Sequence, residues 1–139
     1  MIGFGNDSMV NTLDESVLIS NIVDDIIEFY NVETQEDSFQ PIIDVTENLV
    51  SDVVSFNTSM HNEFVSGMHS LFYVKNKFKF VKACELEFGD KLICPTGDSI
   101  QWITHIELKK LNNTTLYSLN HMLDDSFGYF IHDVLVKNK

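Results

Sequence analysis

Gly128-Tyr129-Phe130-Ile131-His132-Asp133-Val134-Leu135-Val136-Lys137-Asn138 is the stretch on which the reading of this chain turns. Aromatic and β-branched residues dominate it, so it predicts a buried strand. It ends on an asparagine with only Lys139 beyond. Asn is a poor strand residue, and its side-chain amide can attack its own main-chain carbonyl, close to a succinimide and cut the chain behind itself. Read alone, the same ending also describes a domain that simply stops, with Asn138 and Lys139 as a polar tail.

Working outward, 139 residues of which 44% are hydrophobic supply one core and need no second domain. Short strand-like runs between scattered Gly and Pro, with no internal period, predict an all-β chain rather than a helical bundle or a repeat array. No apolar run approaches the roughly 18 to 20 residues of a membrane span, and no basic-then-apolar leader opens the chain, so it reads as soluble and cytoplasmic. A formal charge of -12 and the lack of any arginine argue against a phosphate-binding surface for nucleic acid. Charge is also divided along the chain: every lysine lies at Lys75 or later, while residues 1 to 74 carry thirteen acidic side chains and no basic one. That asymmetry fits a solvated acidic face, or two segments that attract each other.

Cys84 and Cys94, ten residues apart, read as reduced core thiols without catalytic work and form no metal-binding pair. His61, His69, His105, His121 and His132 stand singly, without ligand spacing, so no metal or cofactor is expected. Apolar positions 18, 19, 22, 23, 26 and 27 within Val17–Tyr30 predict a short helix, capped by Ser16 or Ser20. Residues 31 to 38 predict a polar loop, Phe39–Val45 and Leu49–Phe56 two strands, and Asn57–Asn62 a hairpin connection. Ile100–Leu108 and Thr115–Leu119 predict two more strands, and Pro95–Ser99 a tight loop.

Taken in order, Gly3-Phe4-Gly5-Asn6-Asp7-Ser8-Met9-Val10, Ser66-Gly67-Met68-His69 before Leu71-Phe72-Tyr73-Val74, Val81–Ile93, Leu116-Tyr117-Ser118-Leu119 and Gly128–Asn138 together resemble the Hint fold of inteins and hedgehog-type autoprocessing domains. The resemblance spans Gly3 to Asn138 and implies a single horseshoe-like, all-β domain over 1–139, with one or two short helices and both chain ends at one site. Met1, Ile2 and Lys139 are then flanking residues. An endonuclease insertion would fall near Cys94–Ser99, where only a short loop fits, so the chain is similar to a mini-intein.

The resemblance also implies roles. His69 would act on the Ile2–Gly3 peptide bond as an acid-base group and Ser66 would hydrogen-bond beside it. Asp124 or Asp125 matches the family's aspartate, and Asn138 matches the asparagine that cyclises. Four positions depart from the pattern. Gly3 has no side-chain nucleophile, Lys137 replaces a histidine, and Lys139 offers no hydroxyl or thiol to receive a transferred segment. A second usual histidine is replaced by Phe127 or Gly128, leaving His132 as a nearby substitute. The implied activity is protein splicing with the flanking extein segments as partners, disabled at both nucleophile positions; a split form with a complementary fragment, broken within residues 31 to 38, also fits. The competing class is an acidic β-rich binding module without chemistry, which gives Gly3, His69 and Asn138 no reason to converge.

Overall fold

The structure, a computed structural model, describes residues 2–94 and 99–138. Met1, Lys139 and most of the expected loop at Pro95–Ser99 lie outside the described residues. The strands are β1 (Met9–Asn11), β2 (Ser16–Leu18), β3 (Ile26–Asn31), β4 (Glu36–Pro41), β5 (Asp44–Thr58), β6 (Phe64–Ser66), β7 (Leu71–Val74), β8 (Lys79–Lys82), β9 (Lys91–Ile93), β10 (Ile100–Asn120), β11 (Phe127–Ile131) and β12 (Val134–Lys137). They form one antiparallel sheet in the order β2-β1-β11-β12-β7-β9-β10-β5-β6, with β3 on β11, β4 on β3 and β8 on β7. The all-β expectation holds, but among the described residues the only helical elements are three 3-10 turns, at Ile19–Asn21, Lys75–Lys77 and Ala83–Glu85.

The helix expected over Val17–Tyr30 is instead β2, a 3-10 turn and β3. Six of its apolar residues are β-branched, which favours extended backbone over a helix that would crowd their χ1. Asp25 interrupts the run by accepting the Val23 amide at 3.2 Å, and Val23 is left 76% exposed. β2 then pairs with β1, and β3 with β4 and β11. Tertiary pairing therefore overrides a period that only resembled a helix.

The closing stretch is also corrected. It is a hairpin, β11 and β12, joined at His132 and Asp133 with φ of 48° and 63°. Two successive positive φ values match the right-handed twist of the strands, as in a type I′ turn. Burial on both faces explains why the stretch reads as one run: Gly128 through Ile131 and Val134 through Val136 are all buried.

Three further boundaries differ. The polar run 31 to 38 is a β3–β4 hairpin whose turn Asn31 caps, accepting the amides of Glu33 and Thr34 at 2.8 and 3.1 Å. β5 joins parts of two expected strands and runs on to Thr58, so the connection to β6 begins two residues later than expected. The strands expected at Ile100–Leu108 and Thr115–Leu119 are one strand, β10, paired with β5 across two register shifts; bulges of this kind let a long ribbon bend and twist.

Inside the curl of the sheet lies an aromatic core. Phe56 stacks on Phe64 at 4.7 Å and meets Phe72 edge-on at 5.2 Å. Phe4, fully buried, packs edge-on against Phe72 and Tyr129 at 5.9 and 6.1 Å. Each such pair contributes about 0.5 to 1.5 kcal/mol beyond its burial, so the chain's fourth residue is anchored as firmly as its centre.

Candidate autoprocessing site

β10 carries β5 on one edge and both chain ends on the other. Phe4 and Tyr117 exchange backbone bonds at 2.9 and 2.8 Å. Two residues along, the Leu119 carbonyl accepts Asn138 Nδ2 at 2.7 Å. Carbonyls at i and i+2 of a strand point the same way and lie about 7 Å apart, so Phe4 and Asn138 hang side by side from one edge.

Gly3 is seated by a cluster of backbone and hydroxyl groups. Its carbonyl accepts the Gly67 amide at 2.9 Å and the Ser70 hydroxyl at 3.1 Å, and its own N–H donates to Ser70 Oγ at 2.8 Å. Its φ is +127°, and a Cβ built there would meet Leu116 Cβ at 2.8 Å. The seat therefore fits glycine. One residue earlier, the Ile2 carbonyl accepts Asn48 Nδ2 at 3.4 Å.

Ser66 is fully buried, forms a β-bridge with Phe4, and donates its hydroxyl to the Gly67 carbonyl at 2.9 Å. His69 lies on the same segment with its side chain exposed. Ser66 and Gly67 lie against the N-terminal end, and the hydroxyl touching Gly3 belongs to Ser70.

At the other end Asn138 is held in a closed ring. The Tyr129 hydroxyl donates to Asn138 Oδ1 at 2.6 Å and accepts the Leu119 amide at 3.5 Å. Burial pushes the Tyr129 phenol well above its ordinary pKa, so it stays a donor. This ring fixes the rotamer of Asn138 and the direction of its amide nitrogen. Beside it opens a cavity of 190 Å³ lined by residues that include His121, Asp124, Asp125, Lys137 and Asn138. His121 packs edge-on against Phe29 at 4.8 Å and its Nδ1 accepts the Leu123 amide at 3.2 Å. Burial lowers its pKa, which leaves a neutral ring with its proton on Nε2.

Both aspartates of the sequence reading reach this cavity. The exposed Asp124 carboxylate accepts the amide and hydroxyl of Ser126, which holds its pKa below the ordinary value. Asp125 accepts Lys137 Nζ at 2.8 Å through its main-chain carbonyl. Lys137 lies over the Phe80 ring at 4.4 Å, so its ammonium is turned to the outer face of β12. His132 is no substitute for the missing imidazole. It sits in the hairpin turn six residues from Asn138, roughly 20 Å along an extended chain, stacked on His61 at 3.6 Å. Lys139 lies outside the described residues.

Ser70, Asn48, Tyr129 and His121 were not singled out from the sequence. A hydroxyl following a histidine, or a tyrosine nine residues before an asparagine, carries no signal until strand pairing brings them to one edge. Ser118, between the two holding residues of β10, points to the other face of that strand. Its hydroxyl is buried and has no hydrogen-bond partner among the described residues. Of the two cysteines, Cys94 is buried, with its thiol pKa pushed up by burial, whereas Cys84 is exposed rather than in the core; both are free.

No protein-family model matches this sequence, and no curated protein does. Solved structures do. An intein-like domain from Clostridium thermocellum aligns over 100% of this chain and 99% of its own, with a TM-score of 0.87 at 22% identity. The PabCDC21-1 intein aligns over 99% and 98%, with a TM-score of 0.80 at 13% identity. A splice-inactive variant of the AceL NrdHF class 3 split intein aligns over 99% and 98%, with a TM-score of 0.77 at 16% identity. On these full-length likenesses the chain has the Hint fold of inteins and intein-like domains.

Proposed function

We propose that this chain is a protein-splicing domain spanning 1–139, whose junctions are Ile2–Gly3 and Asn138–Lys139 and whose partners are the segments flanking them. One observation carries the reading: Phe4 and Asn138 hang two residues apart on the same edge of β10. An acidic binding module has no need of that convergence, and splicing cannot proceed without it. The split neighbour supports a two-fragment form, and the β3–β4 turn is a place where this chain would divide without cutting a strand.

At the C-terminal junction Asn138 Nδ2 attacks the Asn138 main-chain carbonyl carbon. The peptide bond to Lys139 breaks, the asparagine becomes a succinimide, and a proton from Nδ2 ends on the released amine. Tyr129 and the Leu119 carbonyl orient the side chain, and His121 is the imidazole of the adjoining cavity. At the N-terminal junction Gly3 offers no nucleophile, so the chain as it stands releases only its C-terminal segment, and slowly.

The test is a fusion with marker domains on both sides. By mass spectrometry, release at Asn138–Lys139 leaves a succinimide, and Asn138→Ala abolishes it. Gly3→Cys with Lys139→Ser joins the two markers, and His69→Ala in that background slows the first step. A folded fusion that breaks at neither junction, with or without added thiol, refutes the proposal.

A further inference from the structure

The peptide group between Ile2 and Gly3 is held at both of its polar atoms by side chains that no motif marks. Asn48 Nδ2 donates to the Ile2 carbonyl oxygen at 3.4 Å, and Gly3 N–H donates to Ser70 Oγ at 2.8 Å. Ser70 closes a second bond on the same residue, to the Gly3 carbonyl at 3.1 Å. Its side chain is fully buried, so these bonds act in a low-dielectric setting. A β-bridge at Phe4 would form without either side chain. Together they bracket one peptide bond, and on that bond Gly3 takes a backbone conformation reserved for glycine.

Resting on the reading of Ile2–Gly3 as the N-terminal junction, we propose that Asn48 and Ser70 are catalytic residues there. Asn48 stabilises the carbonyl oxygen as it gains charge, and Ser70 relays a proton to the departing nitrogen. When a nucleophile X–H placed at residue 3 attacks the Ile2 carbonyl carbon, an X–C bond forms and the C–N bond to Gly3 breaks. The transient negative charge collects on the oxygen facing Asn48, whose ground-state contact is long and shortens as that charge grows. The leaving nitrogen needs one proton; Ser70 supplies its own and regains one from X–H, so nothing is consumed. Contact with the leaving nitrogen is thus made by a buried hydroxyl, Ser70 Oγ.

Two measurements test this. In the chain with Gly3 unchanged, NMR reads the interaction itself: Ser70→Ala raises hydrogen exchange of the Gly3 amide at least about tenfold, the effect of losing one hydrogen bond, and Asn48→Ala shifts the Ile2 carbonyl carbon resonance. Both signals unmoved overturn the proposal whatever the activity. In the Gly3→Cys chain, thiol-induced cleavage slows by about 10² to 10⁴-fold in Ser70→Ala and by about 10²-fold in Asn48→Ala. Ser70→Thr recovers part of the rate, and Asn138-dependent release at the other junction is unchanged. Parental cleavage rates in both alanine variants sink the proposal and leave the junction intact. A folded Gly3→Cys parent that never cleaves removes the junction reading and this proposal with it. Asn48 is only half-buried, so its variant folds and reports even where Ser70→Ala does not.

Discussion

Replacing Gly3 by alanine adds one methyl group at the most constrained backbone position of the site. The φ of +127° is strained for any L side chain, at about 1 to 3 kcal/mol. The new Cβ would stand 2.8 Å from Leu116 Cβ and 3.2 Å from Leu116 C and Tyr117 N. Two of those three atoms are strand backbone, which cannot rotate away, and overpacking of this kind costs about 1 to 3 kcal/mol. Loss of unfolded-state freedom returns about 0.4 to 1 kcal/mol. The net loss is about 1 to 6 kcal/mol. With an unfolding entropy near 2.1 cal/mol/K per residue, that lowers the melting temperature by about 3 to 19 °C. Calorimetry or circular dichroism at neutral pH measures it, with Gly89→Ala as the control. Gly89 also has a positive φ, of 84°, but a Cβ there meets nothing within 4 Å, so that variant isolates the backbone term. If Gly3→Ala melts within about 3 °C of the parent, or no lower than Gly89→Ala, the close approach to β10 is wrong. The same strain falls on Gly3→Cys, which would place a restored nucleophile on an already distorted peptide.

Tyr129→Phe leaves Asn138 Oδ1 and the Leu119 amide without their hydroxyl partner; denaturant titration should show a loss of about 1 to 3 kcal/mol, and release at Asn138 should slow because the side chain is no longer oriented. His132 has its pKa lowered to about 4, first by burial and then by the neighbouring His61. A histidine depressed in the folded state gives stability that is complete above about pH 6.5 and is lost as pH falls toward 4. Allowing for the solvent exposure of this ring, the loss is roughly 1 to 2 kcal/mol; His132→Asn, which suits the positive φ, should flatten urea midpoints across that window, and an unchanged slope would remove the assignment. Ser118→Ala deletes a buried hydroxyl with no partner among the described residues and should leave stability unchanged or raise it by up to about 1 kcal/mol in thermal melts, so a marked loss would reveal a hidden bond. Cys84→Ser with Cys94→Ala should leave release at Asn138 at the parental rate in a gel assay, and its abolition in a folded double variant would give a thiol a catalytic part.

Much of this molecule was legible before any coordinates. The all-β class followed from short runs rich in β-branched and aromatic residues, and the resemblance of the two terminal stretches to inteins implied that both ends share one site. Those signals are local, since strand preference and the chemistry of an Asn side chain reside in neighbouring residues. Tertiary structure alone turned Val17–Tyr30 from helix into two strands, because their partners lie on β1, β4 and β11 rather than on the preceding turn. It also divided Gly128–Asn138 at His132, where only positive φ values and not residue type mark the turn. The site shows the same division. The resemblance pointed to Asn138, Ser66 and His69, whereas Ser70, Asn48 and Tyr129 owe their place to contacts across 67, 46 and nine residues. A hydrogen bond has direction and a reach of about 3 Å, and which groups come within that reach is decided by strand register, which no local run of sequence contains.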